Sequence, residues 1–290
     1  MPRFPLNDSS APMTTHSFAS GPVAFIGGGN MARSLIGGLV ARGVPATSIR
    51  VAEPMAELRQ SLTRDFGVHA FADNATAAAN ATTWVLAVKP QVMRAVCEAL
   101  APAAQATRPL VVSIAAGITA AQLERWLGGN LAVVRTMPNT PALLGAGVTG
   151  LFANDRVDAA QREQAADLLE AAGRNVWIED EPLMDAVTAV SGSVPAYIFL
   201  LAEAMQSAAE AEGLPAEAAR TLVQHTILGA ARMLVENDEM PSELRRRVTS
   251  PGGTTQAAIG QFEAGGFGDL VARAIHAATE RGRQLSAAND

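Results

Sequence analysis

From Val23 onward the chain alternates short apolar runs with longer stretches whose apolar residues recur at helical spacing. Val23-Ala24-Phe25-Ile26 stops at Gly27, Gly28 and Gly29, and Met31, Leu35, Ile36, Leu39 and Val40 then fall on one helix face. Gly43 and Pro45 end that helix. The same beat repeats. Ile49–Ala52 reads as a strand, about Pro54 to Asp65 as a helix, and Val68–Phe71 as a third strand. Trp84–Val88 is an apolar strand ending at Lys89-Pro90, followed by a helix over about Val92 to Leu100. Leu110–Ile114, a helix near Ala120 to Leu127, and Ala132–Arg135 close the series. Strands alternating with helices predict an α/β fold, a Rossmann-type parallel sheet covered on both faces. A weaker strand-helix-strand passage runs from Gly147 to Ile178, with its helix at about Asp158 to Ala172.

Past Glu181 the strand pattern stops. Helical spacing runs through Pro182–Val190, Pro195–Glu212, Glu217–Asn237, Thr255–Glu263 and Leu270–Leu285. Gly213-Leu214-Pro215 and Glu239-Met240-Pro241 read as breakers between them. The expectation is three parts: a disordered extension over 1–20, a dinucleotide-binding domain over 21–180, and an all-helical substrate-binding and dimerisation domain over 181–290. The helical half is rich in Ala and Leu, enough to offer a second face to another subunit.

Composition narrows the function. Of 290 residues 49% are hydrophobic, sufficient for a sizeable core, and the net charge of −6 with scattered basic residues leaves no footprint for nucleic acid. Arg245-Arg246-Arg247 is the longest basic run and reads plainly as a solvated helix face. The apolar runs read as too short for the roughly 18 residues that cross a bilayer, so no membrane partner is expected. The first 21 residues have no apolar core of a signal peptide, and Met13 is an alternative start. Cys97 is alone, and His16, His69, His225 and His276 have no ligand spacing, so a metal-free cytoplasmic protein is expected. Basic residues number 22, of which 21 are arginine; Lys89 is the one lysine, and it sits at a strand's end.

Gly27-Gly28-Gly29-Asn30-Met31-Ala32 fits G-x-G-x-x-A between a strand and a helix. In that setting Gly27 permits the turn, Gly29 admits a pyrophosphate, and Ala32 lets helix and strand approach. The helix N-terminus offers free amides to the phosphates. Glu53 ends the second strand, where an acidic side chain bonds the ribose hydroxyls of NAD. NADH is therefore expected to serve at least as well as NADPH, although Arg50 and Arg59 leave a cation nearby. An exposed carboxylate near a helix start is the plain alternative for Glu53. Ala87–Pro90, Ser113–Gly117 and Thr136–Pro141 lie at strand ends, where open parallel sheets bind ligands.

Several segments together resemble the pyrroline-5-carboxylate reductase family. They are Phe25–Met31, Leu86–Pro90, Val111–Gly117, Met137–Pro141, Ser191–Tyr197 and, most distinctively, Ser250-Pro251-Gly252-Gly253-Thr254-Thr255. The resemblance spans about residues 22 to 286. It implies hydride transfer from NADPH or NADH to the C=N carbon of 1-pyrroline-5-carboxylate, giving L-proline. It also implies a homodimer, with five dimers in a decamer common in the family. It places Ile26, Gly27, Gly28, Gly29, Asn30, Met31, Glu53, Asn74, Val88, Lys89 and Ala116 along the cofactor. Asn74 has a plain alternative as a helix cap. The resemblance gives the substrate carboxylate to the backbone of Gly253, Thr254 and Thr255, and the ring nitrogen to the Thr255 hydroxyl; Lys89 and Thr255 are the catalytic candidates. Thr254 and Thr255 are also placed to cap the helix that follows. Val194, Asp238, Arg247 and Gly268 depart from the family pattern.

Two other functions fit the same plan. One is a 3-hydroxyacid or prephenate dehydrogenase, whose helical half usually supplies a lysine or histidine base; here that half has no lysine. The other is a non-catalytic dinucleotide sensor, which would bind the cofactor and leave it unoxidised.

Overall fold

A computed structural model describes residues 21–288, so the expected 1–20 extension lies outside the described residues. The chain divides into two compact units. The first runs to Met184 and takes back the chain from Leu285; the second is Asp185–Gln284.

The first unit is built on one eight-stranded sheet in the order β3-β2-β1-β4-β5-β6-β7-β8. The strands are β1 (Val23–Ile26), β2 (Ile49–Ala52), β3 (His69–Phe71), β4 (Thr83–Leu86), β5 (Leu110–Ser113), β6 (Val133–Met137), β7 (Gly147–Ala153) and β8 (Gly173–Trp177). Helices α1 (Asn30–Ala41), α2 (Ala56–Phe66), α3 (Asn74–Ala78), α4 (Pro90–Thr107), α5 (Ala120–Trp126) and α6 (Ala159–Glu170) connect them. Strands β1 to β6 pair in parallel. The apolar runs have no polar alternation because both faces are covered. Val23, Phe25, Val85 and Val112 join one buried cluster with Leu35 and Leu39 of α1, while Ala24, Ile26, Trp84 and Leu86 join a second with Met93 and Cys97 of α4. Burial pushes the Cys97 thiol up to about 12, with a smaller contribution from neighbouring Glu98. At neutral pH it stays a protonated core side chain, not a nucleophile.

Two expectations need correction here. The sheet is not wholly parallel: β7 runs antiparallel to β6. The link between them is only a loop and a 3₁₀ turn at Thr140–Leu144, and a parallel return needs a crossover of a dozen or more residues. Helix α4 also outruns its expected end at Leu100, continuing through Pro102 to Thr107. Pro102 faces solvent, where water can take the freed carbonyl, while Leu100 and Ala104 keep the buried stripe going.

In the second unit α7 (Met184–Val187), which starts at the boundary, passes through a π turn (Thr188–Gly192) to α8 (Val194–Ala211); α9 (Ala216–Glu236), α10 (Pro241–Arg247), α11 (Thr254–Ala264) and α12 (Phe267–Ala288) follow, the last returning to the first unit. The expected breaker holds over 237–240, which lie outside any helix, and α10 occupies a stretch left unassigned between it and Thr255. Pro241 is its first residue, a position that needs no amide and suits the proline ring. The three arginines of α10 each meet an acid, Arg245 with Glu263, Arg246 with Glu243 and Arg247 with Glu239. They form the neutralised, solvated face expected of them.

Helix α8 buries none of its 18 residues within the chain, and Phe199 and Leu200 are 63% and 67% exposed. The stretch Glu181–Ala211 is, by length and composition, apolar enough to cross a membrane, with mean hydropathy 1.4 and 17% of that window buried. This overturns the expectation that no run is long enough. An apolar helix left bare in the single chain calls for a covering partner.

Candidate functional site

The parallel pairing sets Ile26 level with Ala52 on one side and Leu86 on the other, and Leu86 level with Ser113. The residues that follow each strand therefore line one sheet edge. Gly27 turns there with φ +110°, its amide donating to Ala52 O at 2.9 Å. A Cβ on Gly27 would lie 2.7 Å from Ala87 O, so the backbones of the β1 and β4 ends meet at van der Waals contact. Gly28 is covered by Leu62 and Glu53. Gly29 differs: it caps α1 in extended backbone, φ −68° and ψ −178°, and a Cβ there would meet nothing within 4 Å. The first turn of α1 has no acidic residue and no side-chain cap. An uncapped 12-residue helix with open space over its first turn fits a dinucleotide pyrophosphate.

Glu53 is 7% exposed. Its Oε2 accepts from the Gly28 amide at 3.2 Å and its Oε1 from the Met55 amide at 3.0 Å. This carboxylate is fixed against the glycine loop, which corrects its plain alternative as an exposed helix-start charge. Arg59 donates to Glu53 O at 2.8 Å and Pro54 O at 2.6 Å. Arg50 turns elsewhere, donating to Ala77 O and Thr76 O and lying 4.4 Å over the Phe71 ring.

Asn74 is the first residue of α3, but the cap is Asp73, whose carboxylate accepts the Thr76 amide at 2.8 Å. That hydrogen bond holds the Asp73 carboxyl below the usual carboxylate range. The capping alternative for Asn74 is thereby removed. Val88 and Lys89 lead from β4 into α4, and the exposed Lys89 makes no ion pair among the described residues. Ala116 is exposed in the loop after β5. That loop is pinned at its far end by a capping box between Thr119 and Gln122 and by Glu181 Oε1, which accepts the Ala120 amide at 2.7 Å. The same oxygen pairs with the buried Arg135 at 3.3 Å. Sequence reasoning missed this brace because Glu181 is 46 residues from Arg135. In the third strand-end segment, Asn139 serves the fold: its Oδ1 accepts the Val148 amide at 3.0 Å.

The threonine loop belongs to the second unit. Gly252 has φ +71°, and its amide donates to Gln256 Oε1 at 2.6 Å. Gly253 caps α11, and its own amide donates to Ser250 O at 3.0 Å. The expected capping by Thr254 and Thr255 is corrected, because the helix begins at Thr254 and places both threonines inside its first turn. Both are exposed and neither hydroxyl is bonded within the described residues. Among those residues no group of three or more metal-ligating side chains occurs.

Comparison with known proteins agrees with both halves. Residues 181–285 match the family described as pyrroline-5-carboxylate reductase dimerisation, and residues 22–117 match one described as NADP oxidoreductase, coenzyme F420-dependent. The chain is 56% identical over 264 residues to the pyrroline-5-carboxylate reductase of Pseudomonas aeruginosa, covering 91% of this chain and 96% of that one. A solved pyrroline-5-carboxylate reductase from Coxiella burnetii superposes with a TM-score of 0.89 at 44% identity, covering 92% of this chain and 98% of its own. A pyrroline carboxylate reductase from Plasmodium falciparum, solved with NADP bound, gives 0.80 at 27% identity with the same coverage. Such identity over nearly the whole length, together with the glycine turn and the helical unit, places this chain in the pyrroline-5-carboxylate reductase family.

Proposed function

We infer that the chain reduces 1-pyrroline-5-carboxylate to L-proline with NADH or NADPH. The observation that carries this reading is the open, uncapped N-terminus of α1 beyond Gly29, in a chain 56% identical to a pyrroline-5-carboxylate reductase. Supplied to a bacterial strain that lacks this reductase, the chain should restore growth without proline. Failure to do so with a folded, expressed chain would count against the reading.

The bound dinucleotide supplies a hydride; this chain holds the two reactants. Ile26, Gly27, Gly28, Gly29, Asn30, Met31, Glu53, Asn74, Val88, Lys89 and Ala116 lie along the cofactor; the Gly27 and Gly28 amides are already used by Ala52 O and Glu53 Oε2, so the phosphates fall to the first-turn amides of α1. In the threonine loop the Gly253 amide is already used by Ser250 O. The substrate carboxylate therefore falls to the amides of Thr254 and Thr255 at the start of the 11-residue α11. The Thr255 hydroxyl is left to bond the ring nitrogen. A protonated imine accepts hydride at carbon and ends as a neutral amine, so alignment and exclusion of water do most of the work. Thr255→Ala should accordingly lower kcat/KM roughly 10–100-fold, the loss of one aligning hydrogen bond. An unchanged kcat/KM would remove Thr255 from the site.

Lys89 places a compact ammonium at the β4 end, and a longer planar guanidinium is not equivalent there. Lys89→Arg should raise the dinucleotide KM or lower kcat by about tenfold; wild-type values would make Lys89 incidental. A homodimer through the helical unit accounts for the bare α8, and we extend this to a decamer of five dimers, to be checked by sedimentation. The cytoplasm is the compartment that suits a nicotinamide-dependent step and one free thiol.

A further inference from the structure

We propose that Gln122 and Glu181 are positioning residues for the hydride transfer, because they tie both passages of the chain between its two units to the loop that carries Ala116. The proposal rests on the reductase reading above, in which Ala116 lies along the cofactor, and deepens it. The chain leaves the first unit after Met184 and re-enters it at Leu285. Each passage is fastened, within the first unit, to the first turn of α5. That turn follows the loop 114–119, which leaves β5 at the same sheet edge as the Gly27 turn. The outgoing passage is held by Glu181. Its Oε1 accepts the Ala120 amide at 2.7 Å and meets Arg135 Nη1 at 3.3 Å. Ala120 is the first residue of α5, so its amide has no acceptor inside the helix. Arg135 is 4% exposed, and a guanidinium that dry needs an acid beside it.

The returning passage is held by Gln122, which is buried and uses both ends of its amide. Its Oε1 accepts the Thr119 amide at 2.9 Å, and its Nε2 donates to Ser286 O at 2.9 Å. Ser286 O is one of the last four carbonyls of α12, for which a helix has no donor of its own. The loop also packs directly on this helix end. Gly117 has φ +71°, and a Cβ there would stand 3.3 Å from Leu285 Cβ. Ala115 and Ile118 are buried, which leaves Ala116 as the exposed residue between them. Gln122 and Glu181 therefore act through the loop, not on the dinucleotide itself. Hydride transfer depends on how the two reacting carbons are placed, and a misplacement of about 1 Å costs on the order of 100-fold. The pyrophosphate is held separately, at α1. Loosening the loop should lower the rate of hydride transfer and leave dinucleotide affinity nearly as it was.

The test compares full-length variants by two readouts: the single-turnover rate at saturating dinucleotide and imine, and the dinucleotide Kd from calorimetry. Circular dichroism melts normalise both to the folded fraction. Gln122→Met removes both polar contacts at similar length, and Glu181→Ala removes the other tie. Each should slow the single turnover about tenfold while Kd changes less than about threefold. Glu181→Gln keeps an acceptor for the Ala120 amide and should return the rate to within about threefold of wild type. Should Gln122→Met fold poorly, Gln122→Glu keeps the Thr119 contact and sets a carboxylate against Ser286 O, so it should slow the turnover alike. A rate within about threefold of wild type in either tie-breaking variant, or rate and affinity falling together, would overturn this inference alone. A wild type that binds dinucleotide and does not reduce the imine would overturn the reductase reading and this inference with it.

Discussion

Alanine at Gly27 should destabilise the chain by about 3 kcal/mol, whereas alanine at Gly29 should leave the fold intact and abolish tight cofactor binding. The two positions are neighbours in one motif and differ in what surrounds them. Gly27 has φ +110°, outside the range a side chain adopts comfortably, and its Cβ would sit 2.7 Å from Ala87 O and 2.8 Å from Ala87 C. Those are backbone atoms of a central strand's end and cannot move aside cheaply. Gly29 has an ordinary extended backbone and open space around it. A methyl there costs under about 1 kcal/mol, mainly from poorer capping, yet it occupies the path by which a pyrophosphate reaches the first turn. Dinucleotide affinity should fall about 100-fold. Urea melts and calorimetric titration separate the two effects. A Gly29→Ala chain that binds dinucleotide normally would show that the phosphates do not approach over α1.

The second large effect is expected in the helical unit. Leu200→Glu should convert the proposed homodimer to a monomer and cut activity by at least about 100-fold. Leu200 is 67% exposed in a helix none of whose residues is fully buried within its own chain. Across a two-fold axis one substitution introduces two carboxylates into the same apolar contact. Val235, 82% exposed on α9, gives a second variant should the first fold poorly. Light scattering reads the mass and circular dichroism verifies the helices. A Leu200→Glu chain that stays dimeric and active would mean that α8 is covered in some other way.

Why was so much of this legible from residues alone? The strands buried on both faces are continuous apolar runs, and the helices carry one apolar stripe each, so the two periods separate cleanly from Val23 to Arg135. Legibility failed where local pattern does not carry the answer. The direction of β7 depends on the length of a loop, not on the strand's own residues. Pro102 reads as a stop because its solvent-facing position is a tertiary fact. Helix α10 is too short for its period to show, and a proline at its first residue looks like a breaker.

The candidate site divides in the same way. Gly27 and Gly29 announce themselves by spacing, but their different roles come from Ala87, 60 residues on in the chain and absent from any local window. Glu53 is visible as a charge at a strand end; its fixed orientation depends on two amides from separate segments. In the threonine loop the residue types were readable, while the cap fell one residue earlier than expected. That shift frees both threonine hydroxyls and leaves two amides, not three, for an anion. The sequence offered the helical half as a second face for another subunit, but composition cannot say which helix carries it, and the structure leaves α8 bare.

The most direct test of the account is a stoichiometric assay of the purified chain. 1-Pyrroline-5-carboxylate is added with NADH or NADPH, loss of the reduced nicotinamide's near-ultraviolet absorbance is followed, and proline is quantified in the same sample. The account predicts one proline formed for each dinucleotide oxidised, with no turnover when the imine is omitted. Binding of dinucleotide without oxidation, or oxidation without proline, would contradict it.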